Sequence, residues 1–323
     1  MPCLEKRDRN TILDSTLGNG NESPLVSQKE DKKKTIKGER PQNYLHHPIS
    51  TIGRRQNKGQ PKALTIAGSD SGGGAGIQAD LKTFSSLGVW GLSVVTALTA
   101  QNTLGVQQVF NVPQKCIEQQ LASIFNDMGT NAVKTGMLWS PNTVEAVTEC
   151  LEAKNILLVV DPVLAAKRGE ALLLPKAIPI LKKRLFPLAT LVTPNIPETE
   201  LLTGISPITT KDMVQQAAKK ITDMGASNVL IKGGHFPGQI FDLFFDGKEY
   251  IFFEKKRFSS PHLHGVGCTL AAAITAYLAL GLTLLEAVQQ AQKFITKAIQ
   301  HSMPLGKGIG PVNPNLGNLE PKI

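Results

Sequence analysis

Residues 63–76 read ALTIAGSDSGGGAG. The first five form an apolar run of strand length, and the next nine contain five glycines. A strand that empties into such a loop brings backbone N–H groups close to whatever lies beyond it, because glycine has no side chain to hold a ligand off. Residues 77–87 then carry a helical apolar period. Strand, glycine loop and helix open an α/β unit, and in open α/β sheets ligands bind beyond the carboxyl ends of the strands.

Outward from this stretch the alternation repeats. Residues 92–98 and 106–112 read as strands, 116–128 as a helix, and 132–134 as a strand ending at Gly136. A helix over 142–153 leads to a strand at 156–160 that ends at Asp161-Pro162. Strands follow at 190–192 and 228–232, then a hairpin over 240–253 turning at Asp246-Gly247, then long helices over 268–280 and 284–301. This pattern predicts an α/β fold with a largely parallel sheet covered on both faces. The tail after Gly306 is rich in Gly, Pro and Asn and is expected to be extended.

The 323 residues are 41% hydrophobic and 19% charged, enough for one large domain or two small ones. No apolar stretch reaches the roughly 18 residues of a membrane span, and the N-terminus lacks the apolar core of a signal peptide. The four cysteines form no CxxC pair and no zinc spacing with histidine, so a reduced, cytoplasmic setting is expected. The net charge of +9 raises a nucleic-acid reading. Residues 1–60 hold 12 Lys+Arg and 7 Asp+Glu, net +5, and the remainder holds 23 and 19, net +4. The body is only mildly basic, so neither a nucleic-acid nor a membrane partner is expected. Residues 1–60 lack an apolar period and are expected to be a disordered basic extension before a folded domain at 61–323.

Five strand ends carry candidate chemistry. The glycine loop 68–76 is the first. Gly74 to Ala79 matches a GxGxxA dinucleotide fingerprint, but there is no Asp or Glu between Asp80 and Glu118 to meet a ribose. A Walker A motif is absent from the sequence. The second is Thr99-Ala100-Gln101-Asn102-Thr103, polar residues just past an apolar strand. The third is Asp161-Pro162-Val163; an Asp ending a buried strand has to be paired, solvated or functional. The fourth is Thr193-Pro194-Asn195-Ile196-Pro197-Glu198, where Asn195 and Glu198 can orient metal-bound water or cap a helix. The fifth is His264-Gly265-Val266-Gly267-Cys268-Thr269, opening an apolar helix. Free N–H groups at such a helix start form an anion pocket, as phosphoryl transfer requires. Cys268 lies in the first turn, where the dipole favours thiolate; the plainer reading is a small buried thiol.

These segments, in this order, resemble the hydroxymethylpyrimidine/phosphomethylpyrimidine kinases of the ribokinase-like superfamily. The resemblance runs from residue 62 to about 316 and rests on AGSDSGGGAGIQADLKTFSSLG, TALTAQNTLGVQ, KTGML, DPV, TPNIPE, IKGGH and HGVGCT. It implies a three-layer α/β/α sandwich, ATP with Mg2+, a homodimer, and two successive phosphorylations in thiamine synthesis, first of the hydroxymethyl group and then of the monophosphate. Asp80, Gln101, Met137 and Val163 match the pyrimidine pocket, with Gln101 on the aminopyrimidine edge. Asp161, Asn195 and Glu198 match the Mg2+-phosphate region, Asp161 and Glu198 holding the ion through water. Lys232 matches a nucleotide-side position. Gly265, Val266 and Gly267 match the anion hole, and Cys268 matches the residue that replaces the aspartate base of other ribokinase relatives.

The chain departs from the family pattern at Leu263 and Val266, where threonines are usual. Arg168 and Glu170 depart in a loop that usually reads AKSGD, and Lys307 stands where histidine is usual. The alternatives left open are a pyridoxal or pyridoxine kinase of the same fold and a non-catalytic binding relative.

Overall fold

The computed structural model describes residues 59–166, 169–234, 236, 240–256 and 260–316. The expectation of a disordered extension at 1–60 falls almost wholly outside these residues, as do Lys167, Arg168 and His235.

β1 (Lys62–Asp70) runs into α1 (Gly76–Ser86), followed by β2 (Trp90–Asn102) and β3 (Gly105–Asn111). Then come α2 (Gln114–Ser123), β4 (Ala132–Thr135), α3 (Pro141–Glu152) and β5 (Leu157–Val160). A short helix, α4 (Ile178–Ile180), leads through irregular turns to β6 (Leu191–Val192). α5 (Ile196–Thr203), α6 (Lys211–Asp223) and β7 (Val229–Lys232) follow. β8 (Ile240–Phe245) and β9 (Tyr250–Lys255) form the expected hairpin, and α7 (Val266–Ala279) and α8 (Leu284–Gln300) complete the series.

The sheet order is β3-β2-β1-β4-β5-β6-β7-β8-β9. The six strands from β2 to β7 run parallel, and β3, β8 and β9 add antiparallel edges. Strands of the parallel region are apolar at successive positions because both of their faces are buried. Leu64, Val133, Leu158, Val160 and Ile231 pack against α2, α3, α5 and α6. Ala63, Ala132, Val159 and Leu230 face α7 and α8. The small residues on that second face let the alanine-rich α7 (VGCTLAAAITAYLA) lie close to the sheet. The result is the α/β/α sandwich.

The parallel strand ends are stitched to one another. The Gly136 N–H donates to Ile66 O (2.9 Å), Asp161 N–H to Thr135 O (3.0 Å), Thr193 N–H to Val160 O (2.9 Å) and Lys232 N–H to Pro194 O (2.8 Å). Every candidate strand end therefore opens on one rim. Within the tail, residues 309–312 are held to that rim. Ile309 N–H donates to Thr103 O (2.9 Å), and Val312 N–H to His264 O (3.0 Å). No helix among the described residues is long and apolar enough to cross a membrane.

Candidate active site

Asp70, at the end of β1, organises the glycine loop. Its carboxylate accepts N–H bonds from Gly72 (2.8 Å), Gly74 (3.1 Å) and Ala75 (2.9 Å), and stands 2.9 Å from His264 Nε2. Burial alone would raise its pKa, but His264 and the backbone donors outweigh that and hold the carboxyl below the usual range. The contact with His264 ties the loop to the start of α7. Gly265 has φ +79°, and a Cβ there would lie 1.8 Å from Gly74 O. A Cβ at Gly74 would in turn lie 2.5 Å from the His264 ring. The two loops interlock, and only glycine permits the approach.

Gln101 lines the cleft between them. Its Oε1 accepts from Thr99 Oγ1 (3.1 Å), and its Nε2 is 3.3 Å from His264 Nε2. Because His264 Nε2 donates to Asp70, it cannot also accept from Gln101, which leaves the Gln101 amide N–H groups available to a ligand. Met137 and Val163 line the same cleft. Val163 has φ +46°, a costly conformation for a β-branched residue, in a segment bonded to the next strand end: Leu164 N–H donates to Glu198 Oε1 (3.3 Å).

Asp161 is buried and accepts at Oδ1 from Lys232 Nζ (2.7 Å) and Thr193 Oγ1 (3.3 Å). A Cβ at Gly267 would lie 3.7 Å from Asp161 Oδ2 and 3.2 Å from Lys232 Nζ. The Gly265–Cys268 turn, the ammonium and the carboxylate thus meet at one point. Burial pulls Lys232 down, but Asp161 and Glu198 overcome it and raise its pKa, so the ammonium is retained. Asn195 and Glu198 close a capping box at α5: Glu198 N–H donates to Asn195 Oδ1 (2.9 Å) and Asn195 N–H to Glu198 Oε2 (2.8 Å). Burial and the nearby Asp161 push the Glu198 carboxyl up despite Lys232.

One placement differs from the expectation. Asp80 does not line the cleft. It lies beneath it, fully buried, with Oδ2 taken by Lys134 Nζ (2.8 Å) and Thr65 Oγ1 (2.6 Å). Cys268 lines the cleft, where burial pushes its thiol up to about 11 in spite of Lys134; of the two readings left open, this favours the thiol over the thiolate in the ligand-free protein. Sequence reading missed Asp70, whose partners are mostly N–H groups of its own loop. It also passed over Lys134, although a lysine inside the apolar strand AVKT demands a buried partner.

Among the described residues no three of His, Cys, Asp and Glu gather as a protein metal cage. Asp161 Oδ2 is the carboxylate oxygen left facing the anion turn. That suits Mg2+, which keeps water and is shared between one or two carboxylates and substrate phosphates.

A cleft of about 1580 Å³ is lined by every candidate site residue singled out in the sequence except Asp80. A doubly covered, mostly parallel sheet with an anion turn, a paired lysine and a carboxylate at its rim is the arrangement of a ribokinase-like kinase. The sequence profile of phosphomethylpyrimidine kinase matches residues 70–313, and the chain belongs to that family. It is 49% identical over 259 residues to the hydroxymethylpyrimidine/phosphomethylpyrimidine kinase of Haemophilus influenzae, covering 78% of this chain and 96% of that one. It is 51% identical over 252 residues to the thiamine biosynthesis bifunctional protein ThiED of Geobacter sulfurreducens; the match spans 77% of this chain and 51% of the larger protein. Among solved structures it is similar to Bacillus subtilis pyridoxal kinase in an ADP complex, with TM-score 0.76 and 40% identity, covering 81% of this chain and all of that one.

Proposed function

We propose that the chain transfers the γ-phosphoryl group of ATP to 4-amino-5-hydroxymethyl-2-methylpyrimidine, and then a second phosphoryl group to the monophosphate, in thiamine biosynthesis. The observation that carries this is the convergence of the α7 N-terminal turn, Lys232 and Asp161 beside Gln101 in one cleft. Phosphoryl transfer needs positioning and charge stabilisation more than covalent chemistry. The N–H groups of Gly265, Val266 and Gly267 meet the transferring group at the positive end of α7. Lys232, whose charge Asp161 secures, lies along the phosphates. Gln101 donates to a ring nitrogen of the pyrimidine, with Met137 and Val163 packing against the ring. Mg2+ would be held by Asp161 and, through water, by Glu198, and it supplies charge neutralisation between the phosphates. Cys268, once its thiol has released its own proton to solvent, takes the proton of the attacking hydroxyl. The threonines usual at positions 263 and 266 are not required, since the anion turn acts through its backbone.

Leu98 and Phe110 are paired across β2 and β3 and half-exposed. That apolar edge supports a homodimer.

A second reading, a pyridoxal kinase, is favoured by the 40% identity to the Bacillus subtilis enzyme. The higher identity to the Haemophilus influenzae kinase supports the pyrimidine. The test is kcat/KM for the pyrimidine alcohol and for pyridoxal, measured side by side. The pyrimidine should win by at least tenfold, and a preference for pyridoxal would reverse the assignment.

A further inference from the structure

β1 ends at Asp70, opposite Thr99 of β2, so from residue 100 onward β2 pairs with β3 alone. Gln101 lies on this end of the hairpin, at a shift of register between Ala100 and Gln101. A bulge of this kind re-aims a side chain, and a two-stranded hairpin is marginally stable by itself in water. The glycine loop secures one side: Ser71 Oγ donates to Gln101 O (2.7 Å) and accepts from Gln101 N–H (2.9 Å). The tail secures the tip. Gly308 N–H donates to Thr103 Oγ1 (3.1 Å) and Ile309 N–H to Thr103 O (2.9 Å). The next residue reaches the approach to α7: Gly310 N–H donates to His262 Nδ1 (3.1 Å), and Gly310 O accepts from His264 N–H (3.1 Å). Val312 follows, buried in the α7–α8 layer, and anchors the tail behind these contacts. A Cβ at Gly308 would lie 1.9 Å from Thr103 O, so only glycine lets the tail pass this close. The donors on the tail are backbone groups, so a lysine at 307 leaves these bonds intact.

We propose that residues 308–312 are a strap that fixes Gln101 relative to the anion turn, with Thr103 the positioning residue at the hairpin end. One attachment of the strap is two residues beyond Gln101, and the other is at residues 262–264, immediately before Gly265. Gln101, Thr103, His264 and Ile309 all line the cleft. The ring that Gln101 meets and the hydroxyl that must reach the phosphoryl group belong to one small molecule, so both ends of the site have to be in place at once. A misplacement of about 1 Å can cost about a hundredfold in rate. Thr103 acts on no reacting atom; it holds the hairpin end, and through it Gln101. The inference rests on the reading of Gln101 as the residue on the edge of the acceptor ring.

The test is a double-mutant cycle in the full chain on KM for the alcohol it phosphorylates, the pyrimidine or, failing that, pyridoxal. The variants are Thr103→Val, Gln101→Ala and the two combined, with thermal unfolding to establish that each is folded. Thr103→Val keeps the shape and removes the oxygen that accepts from Gly308. Loss of that hydrogen bond should raise KM for the alcohol by about three- to tenfold and leave KM for ATP within about twofold. Thr103→Ser, which keeps the oxygen, should stay within about twofold of wild type. In the Gln101→Ala background the valine should add less than about twofold, because the group it positions is gone. An equal rise in both backgrounds, or a matching rise in KM for ATP, would mean a general loosening and would overturn the strap. So would an unchanged KM in Thr103→Val while Gln101→Ala raises it, a result that leaves the reading of Gln101 standing. An unchanged KM in Gln101→Ala would overturn that reading, and the purpose of the strap with it.

Discussion

At Cys268, two effects of the same location oppose each other. The first turn of α7 favours an anion through the helix dipole, by about 0.3–1 kcal/mol near a surface. The sulfur's burial, with Asp80 and Asp161 near by, outweighs this and pushes the thiol up to about 11. Under the proposed mechanism, base catalysis therefore depends on the charges that ligands bring. The two phosphorylations should feel this differently. An alcohol must lose a proton, and a base typically contributes about 10²–10⁴-fold. A phosphate monoester is already largely ionised at neutral pH, with its second pKa near 6. Cys268→Ala should thus slow the first step by about a hundredfold or more and leave the second within about tenfold. Rates started separately from the alcohol and the monophosphate test this; equal losses in both would make Cys268 a shaper of the anion turn. The placement of Asp161 and Lys232 at the cleft was legible because a charged residue ending an apolar strand has few bland explanations. Asp80 was less so. Its sequence neighbours look like the rest of the pocket, and only the register of β1 against β4 shows Lys134 beneath it.

Among elements, the glycine loop and the α7 start work as one unit, fastened by Asp70, His264 and the close pass of Gly265 over Gly74 O. Gly265→Ala would place a methyl where the Gly74 carbonyl is and impose a left-handed φ on alanine. It should abolish measurable phosphorylation and lower the thermal midpoint, whereas Val266→Thr, which keeps the backbone, should retain activity. Activity in Gly265→Ala close to wild type would mean the loops are not locked. The strands were readable because both faces of the sheet are covered, which turns them into unbroken apolar runs. α6 was not read, although its Thr210 cap and the spacing of Val214, Ala217, Ala218 and Ile221 carry a helical signal; its many polar residues obscured the stripe. The end of α2 passes into a π-helical turn over Ile124–Met128, which no periodicity announces. α5 was visible only as its capping residues.

For the whole molecule, two apolar layers, one on each side of the sheet, hold the rim rigid enough to aim side chains from six parallel strands. The described fold begins with β1 at Lys62, and the family match begins at residue 70. Removing residues 1–58, which lie outside the family match and lack an apolar period, should leave kcat/KM within about twofold and the thermal midpoint unchanged. A large loss in either would give the extension a structural or catalytic part. The claim on which the rest depends is that this cleft phosphorylates a pyrimidine alcohol twice. Mass spectrometry of the products formed by the purified chain with ATP, Mg2+ and 4-amino-5-hydroxymethyl-2-methylpyrimidine tests it directly. The account predicts a monophosphate that appears first and is consumed as the diphosphate accumulates; an unmodified pyrimidine, in a protein that phosphorylates pyridoxal or leaves ATP intact, would contradict it.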